Sequence, residues 1–183
     1  CFIWYHVVKD LPIGWRPGVY PDRQITFILT HPLTYVKTLF TDVFRHIEFQ
    51  MKTFIGRFGW MDTPLPKRHY HLWALFLLLV ILTDGSGKIT VRWFHKAIYL
   101  LIFCSIWLLI VTLLYIYWNP VGHSEITGVQ GRYFLPVAPL FLLCFYNRRF
   151  RWHRPAKGPV IGLAAALSLM HALAVFSYRF YVS

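Results

Sequence analysis

Residues 94–118 read FHKAIYLLIFCSIWLLIVTLLYIYW, and this stretch decides the fold class. Its only formally charged side chain is Lys96, near one end. As a helix its twenty-five residues rise about 37 Å, enough to cross about 30 Å of hydrocarbon with some tilt. A second run, Gly158 to about Tyr178, is apolar and carries Gly162, Ala166 and Ser168, small residues that suit close helix contact. Two shorter runs, Tyr70–Thr83 and Tyr133–Tyr146, would each give about 21 Å of helix unless extended. Pro64 and Pro66 can start a helix ahead of the first, and Arg148 can snorkel beyond the second. The expectation is an all-α, polytopic transmembrane helix bundle with spans of about 66–83, 94–118, 131–147 and 158–178. Residues 1–8 read as the end of a transmembrane helix that begins before Cys1, so the chain is expected to be part of a longer one.

Composition agrees. Hydrophobic residues make up 57% of the 183 and charged residues only 14%, against about 25% charged in soluble domains. The net charge of +12 raises nucleic acid as a partner. The basic residues, however, lie between apolar runs instead of along one patch, which is how membrane proteins flank their spans. The expected partners are therefore the lipid bilayer and other membrane helices, including any that precede Cys1, and not nucleic acid. Three cysteines cannot form a paired framework. Cys104 and Cys144, both inside apolar runs, read as buried free thiols.

Loop charge predicts the orientation. Lys88 and Arg92, and the cluster Arg148, Arg149, Arg151, Arg154 and Lys157, mark two cytoplasmic loops. The segment 119–132 and the C-terminal end are then external. So is the long segment 9–69, within which Val36, Phe40, Val43, Phe44, Ile47, Met51 and Phe54 recur at helical spacing. An amphipathic helix over about 31–55 follows, with Pro32 in its first turn and Glu48 and Lys52 as a supporting pair. It either lies along the bilayer interface or packs on other external elements.

Two strings could carry chemistry. Gly128-Val129-Gln130-Gly131-Arg132-Tyr133 places a turn, an amide and a guanidinium at the mouth of a span. Backbone N–H groups at a helix start and a planar five-donor arginine both favour phosphate. Gly128, Gln130, Gly131, Arg132 and Tyr133 are thus candidate substrate-binding residues, although Arg132 and Tyr133 could equally be interfacial anchors. In Gly56-Arg57-Phe58-Gly59-Trp60-Met61-Asp62-Thr63-Pro64, Trp60 is a stacking platform for a sugar and Asp62 a candidate catalytic carboxylate. The plainer reading is that Asp62 or Thr63 caps the following helix. His171 is the ionisable residue deepest in a span, either functional or a neutral histidine bonded to a neighbouring helix. His69 and His71 lack Cys or acid partners at metal-site spacing. No glycine-rich nucleotide loop is present. No cofactor is evident, and a divalent metal stays open, although this stretch offers no ligand set for one.

The strings GRFGWMDTPLP (56–66) and GVQGRYFL (128–135), with Gln24-Ile25 and His31-Pro32 ahead of them, resemble a bacterial membrane family catalogued as domain of unknown function 2142. The resemblance runs from about residue 20 to residue 146. The family is in turn similar to the GT-C membrane glycosyltransferases, which draw sugars from polyprenyl-phosphate carriers on the non-cytoplasmic face. This implies a multi-pass protein of the bacterial inner (cytoplasmic) membrane that handles a polyprenyl-phosphate-linked sugar. Arg132 and Gln130 would meet the carrier phosphate, with Asp62 near sugar or acceptor. Asp10, Asp22, Asp42, Glu48 and Glu125 rank behind it. A non-catalytic component of polysaccharide export or assembly is the alternative, and a transporter using His171 a further one.

Overall fold

The computed structural model describes residues 17–58, 63–83, 91–146 and 157–182. Residues 1–8, Trp60, Asp62 and most of the basic loop 147–157 therefore lie outside the described residues. The architecture is all-α. Helices α1 (Pro21–Thr30) and α2 (Pro32–Ile55) are followed by a two-residue antiparallel strand pair, β1 (Arg57–Phe58) with β2 (Thr63–Pro64). Then come α3 (Lys67–Thr83), α4 (Trp93–Trp118), a 3₁₀ turn Gly131–Phe134, α5 (Ala138–Cys144) and α6 (Lys157–Ser177), which runs on as a π-helical turn Tyr178–Val182. Two compact units emerge: Cys1–Ile47 with Leu108–Val129, and Glu48–Trp107 with Gln130–Ser183.

Prolines set the first boundaries. Pro21 occupies the first turn of α1, where a missing N–H costs nothing. His31, forced towards extended backbone by Pro32, ends it with φ −128° and ψ 56°. The predicted amphipathic helix appears as α2, but its exposure pattern is informative. Phe40 is 63% exposed, Phe44 76% and Ile47 51%, whereas Tyr35, Thr38, Leu39, Asp42 and Thr53 are buried. Protein covers the more polar face and leaves the apolar face bare, the disposition of a helix whose apolar side rests in a bilayer boundary. On the surface of α2, Lys52 donates to Glu48 and holds that carboxyl below its usual range.

In the first unit, α1, the start of α2 and the end of α4 enclose a small core of Val19, Leu39, Val111, Tyr115 and Ile126. Tyr35 stacks on Tyr115 at 5.5 Å and shares a 2.6 Å hydrogen bond with Thr112. Burial raises the Tyr35 phenol above its ordinary pKa. The segment after α4, read from sequence as a loop, is tied down at every turn. Gly122 N–H donates to the buried Gln24 Oε1 at 2.8 Å, and Tyr115 donates to the His123 carbonyl at 2.8 Å.

In the second unit Tyr70, 7% exposed, joins the strand pair to α3: its hydroxyl donates to the Gly56 carbonyl and accepts from Leu65 N–H. Thr63 pairs within the strands instead of capping a helix, so α3 starts at Lys67. With 17 residues, α3 rises about 25 Å. The helices long and apolar enough to cross a membrane, among the described residues, are two: Trp93–Trp118 and Gly158–Tyr181. Almost nothing of the apolar stretch of either helix is buried within the chain. Apolar surface left that bare is what lipid, not water, would cover.

The run expected as one span over about 131–147 is interrupted. It forms the 3₁₀ turn, a bend and the seven-residue α5, because Pro136 and Pro139 each remove a donor and crowd the preceding turn. Phe141 meets Phe103 of α4 at 4.9 Å, and Lys96 Nζ donates to the Tyr146 carbonyl at 2.6 Å. That bond gives the ammonium in α4 a polar partner. Cys144 is partly buried, but Cys104 is exposed on α4, because its face of that helix is not covered by protein.

Candidate functional site

The string around residue 130 sits on the last turns of α2. Gly131 N–H donates to Thr53 Oγ1 at 2.7 Å, and the hydroxyl of Thr53, a residue 5% exposed, donates to the Phe49 or Gln50 carbonyl at 3.0 Å. A Cβ on Gly131 would collide with the Gln50 carbonyl oxygen and approach Phe54 Cβ to 2.7 Å. Only glycine lets the turn lie this close. Gly128, in the first unit, has φ +91°, and a Cβ there would come 2.6 Å from the Trp118 ring. These two glycines shape backbone; they present no side chain to a ligand.

Arg132 is the group the turn presents. It is exposed, and among the described residues its guanidinium makes no hydrogen bond or ion pair. Tyr133 beside it is 37% exposed. Gln130 is 7% exposed and its side-chain carbonyl oxygen is buried without a partner among the described residues. A buried amide oxygen of that kind usually costs about 1–3 kcal/mol unless something donates to it. Arg57, just past α2, lies over the Phe49 ring at 5.5 Å with a buried Nε that also lacks a described partner. Within the second unit, Gln130 to Phe134 of one string and Gly56 to Phe58 of the other thus meet the end of α2. Trp60 and Asp62 of the second string lie outside the described residues.

A family model, that of the predicted membrane protein DUF2142, matches residues 2–141. The chain belongs to DUF2142. Both strings fall within the matched residues, as do α1 to α4. No curated protein and no solved structure matches this DUF2142 chain.

Sequence reasoning undervalued one group in this DUF2142 chain. Asp42, 3% exposed, accepts from Ile126 N–H at 3.0 Å and pairs with His46 Nδ1 at 2.8 Å through the same oxygen. Arg45, one residue before His46, bonds to Glu125. A buried carboxylate that orients a partly exposed imidazole is the arrangement that prepares a base. The i,i+4 spacing of Asp42 and His46 was visible in sequence, but the burial comes from a segment 84 residues away. Asp42→Ala should cost about 1–3 kcal/mol, because Ile126 N–H is left buried and unpaired. His46→Ala should cost less, and thermal unfolding of the two variants in detergent measures the difference.

The histidines also rearrange the reading of the spans. Among the described residues His171 of α6 makes no hydrogen bond to a neighbouring helix; its ring stacks on His69 of α3 at 4.9 Å, 17° from parallel. A partner absent at local spacing is supplied from 102 residues away.

Proposed function

We propose that this membrane protein handles a polyprenyl-phosphate-linked sugar as a glycosyltransferase-like, multi-pass protein of the bacterial cytoplasmic membrane. The observation that carries the reading is Arg132: an uncommitted guanidinium on a turn whose backbone is fixed by Gly131 and Thr53. Preorganisation matters because a turn whose backbone is already fixed leaves only the side chain's freedom to be lost when the guanidinium meets a phosphate. The fork binds phosphate oxygens in pairs, and a leaving phosphate needs such a cation to carry its developing charge. The bare apolar face of α2 would hold this end of the protein at head-group depth, with segments 9–69 and 119–132 outside and the loop carrying Arg148 to Lys157 in the cytoplasm.

Binding of a polyprenyl-phosphate sugar to the purified full-length protein in lipid tests the reading. Arg132→Ala and Arg132→Lys should both weaken binding, by about tenfold or more, since hydrogen bonds to charged groups are worth about 1.5–3 kcal/mol. Lysine keeps the charge and loses the fork. Wild-type affinity in both variants would return Arg132 to the role of an interfacial anchor.

A further inference from the structure

Between α3 and α6, within the second unit, lies a groove of about 450 Å³. Its walls are His69, Leu72, Trp73 and Phe76 on one side and Ala164, Leu167, Ser168 and His171 on the other. Both sets follow i, i+3, i+4, i+7 spacing, so each helix turns a single face to the groove. The stack of His69 on His171 joins the helices at one end. Beyond it the space stays open, because Ala164 and Ser168 are too small to fill what Trp73 and Phe76 leave.

The groove is polar at one end and apolar along the rest. Arg68, His69 and His171 gather at the stacked end, and among the described residues no Asp or Glu lines the groove. Lys67 and His71 flank Arg68 on the same turn of α3. Leu72 and Leu167, on its walls, are 67% and 57% exposed, so the apolar part opens sideways on the surface of helices that face lipid. A cationic head region continuous with an apolar trough matches one kind of molecule, an anionic amphiphile that enters from the bilayer.

We propose that this groove is a binding site for an anionic phospholipid, with Arg68, His69 and His171 around its phosphate and one acyl chain against Trp73 and Phe76. The guanidinium supplies the paired donors that phosphate favours, and imidazole N–H groups beside it can donate to the remaining phosphate oxygens. The bilayer presents such lipids at high local concentration, so even modest affinity fills the site. The residues are separate from the turn at Arg132, and the proposal does not rest on the carrier reading.

The test uses the purified full chain in detergent and native mass spectrometry, with dioleoyl phosphatidylglycerol and dioleoyl phosphatidylcholine as probes. Phosphatidylglycerol should be retained in preference to phosphatidylcholine. Arg68→Ala should reduce that retention about tenfold or more. Ala164→Trp, which fills the trough without changing charge, should abolish it, while Leu163→Trp, on a residue outside the groove, should leave it intact. Arg132→Ala should also leave it intact, which separates this site from the proposed carrier site. Equal retention of the two lipids, no effect of Arg68→Ala, or equal effects of the two tryptophans would each overturn the proposal. So would displacement of phosphatidylglycerol by equimolar polyprenyl phosphate, which would give the groove to the carrier.

Discussion

Gly131→Ala is expected to destabilise the protein by about 1–3 kcal/mol, the usual range for forcing atoms into packed structure, and to lower its melting temperature in detergent. The added methyl group would meet the Gln50 carbonyl oxygen and Phe54 Cβ, which belong to α2. Backbone cannot step aside as a flexible side chain would, so the turn must lift away and Gly131 N–H must leave Thr53 Oγ1. Phosphate binding should fall with it, because Arg132 is carried on the same turn. Thr53→Val, which keeps the shape and removes the hydroxyl, should also cost about 1–3 kcal/mol, because Gly131 N–H is left buried and unpaired. A Gly131→Ala variant as stable as wild type would mean that the turn is not seated on α2.

Asn119→Ala is expected to have an effect at least as large, in the first unit. Asn119 is fully buried at the end of α4. Its Nδ2 donates to the Leu114 carbonyl at 2.9 Å and to the Thr127 carbonyl at 3.2 Å. Its Oδ1 accepts from Thr127 N–H and Thr127 Oγ1, both at 2.8 Å. One side chain therefore closes the segment 119–127 into a loop. Truncation leaves several buried polar atoms unpaired, at about 1–3 kcal/mol for each that water cannot reach. Asn119→Asp should also be unfavourable, since it keeps the acceptor, loses both donors and points a charge at the Thr127 carbonyl. Thermal unfolding in detergent, with limited proteolysis at 119–130, measures both variants.

The fold was legible where one local property decides it. The apolar run ending at Trp118 is long enough to name its own structure, and the period of Val36, Phe40, Phe44, Ile47 and Met51 identifies α2 without reference to anything else. The 131–147 run misled because hydropathy is blind to backbone donors: Pro136 and Pro139 leave it apolar and still interrupt it. Which face of α2 protein covers was not legible. It depends on Ile126 and Tyr115, which are distant in sequence, meeting Asp42 and Tyr35. The candidate site divides in the same way. Arg132 stood out as a cation at a span mouth, but the need for glycine at 131 appears only when the Gln50 carbonyl lies against it. The His69–His171 stack and the Asp42–Ile126 bond are contacts between distant segments, and no single-sequence pattern encodes them.

The central claim is that the turn at residue 132 meets the phosphate of a lipid carrier, and photocrosslinking tests it most directly. The reagent is a polyprenyl phosphate with a diazirine on its first isoprene unit, irradiated with the full-length protein in lipid. Saturable labelling of the peptide spanning 128–135 is expected, competed by unlabelled polyprenyl phosphate and lost in Arg132→Lys. Labelling confined to the α3–α6 groove, or labelling of 128–135 that neither competitor nor Arg132→Lys reduces, would contradict it.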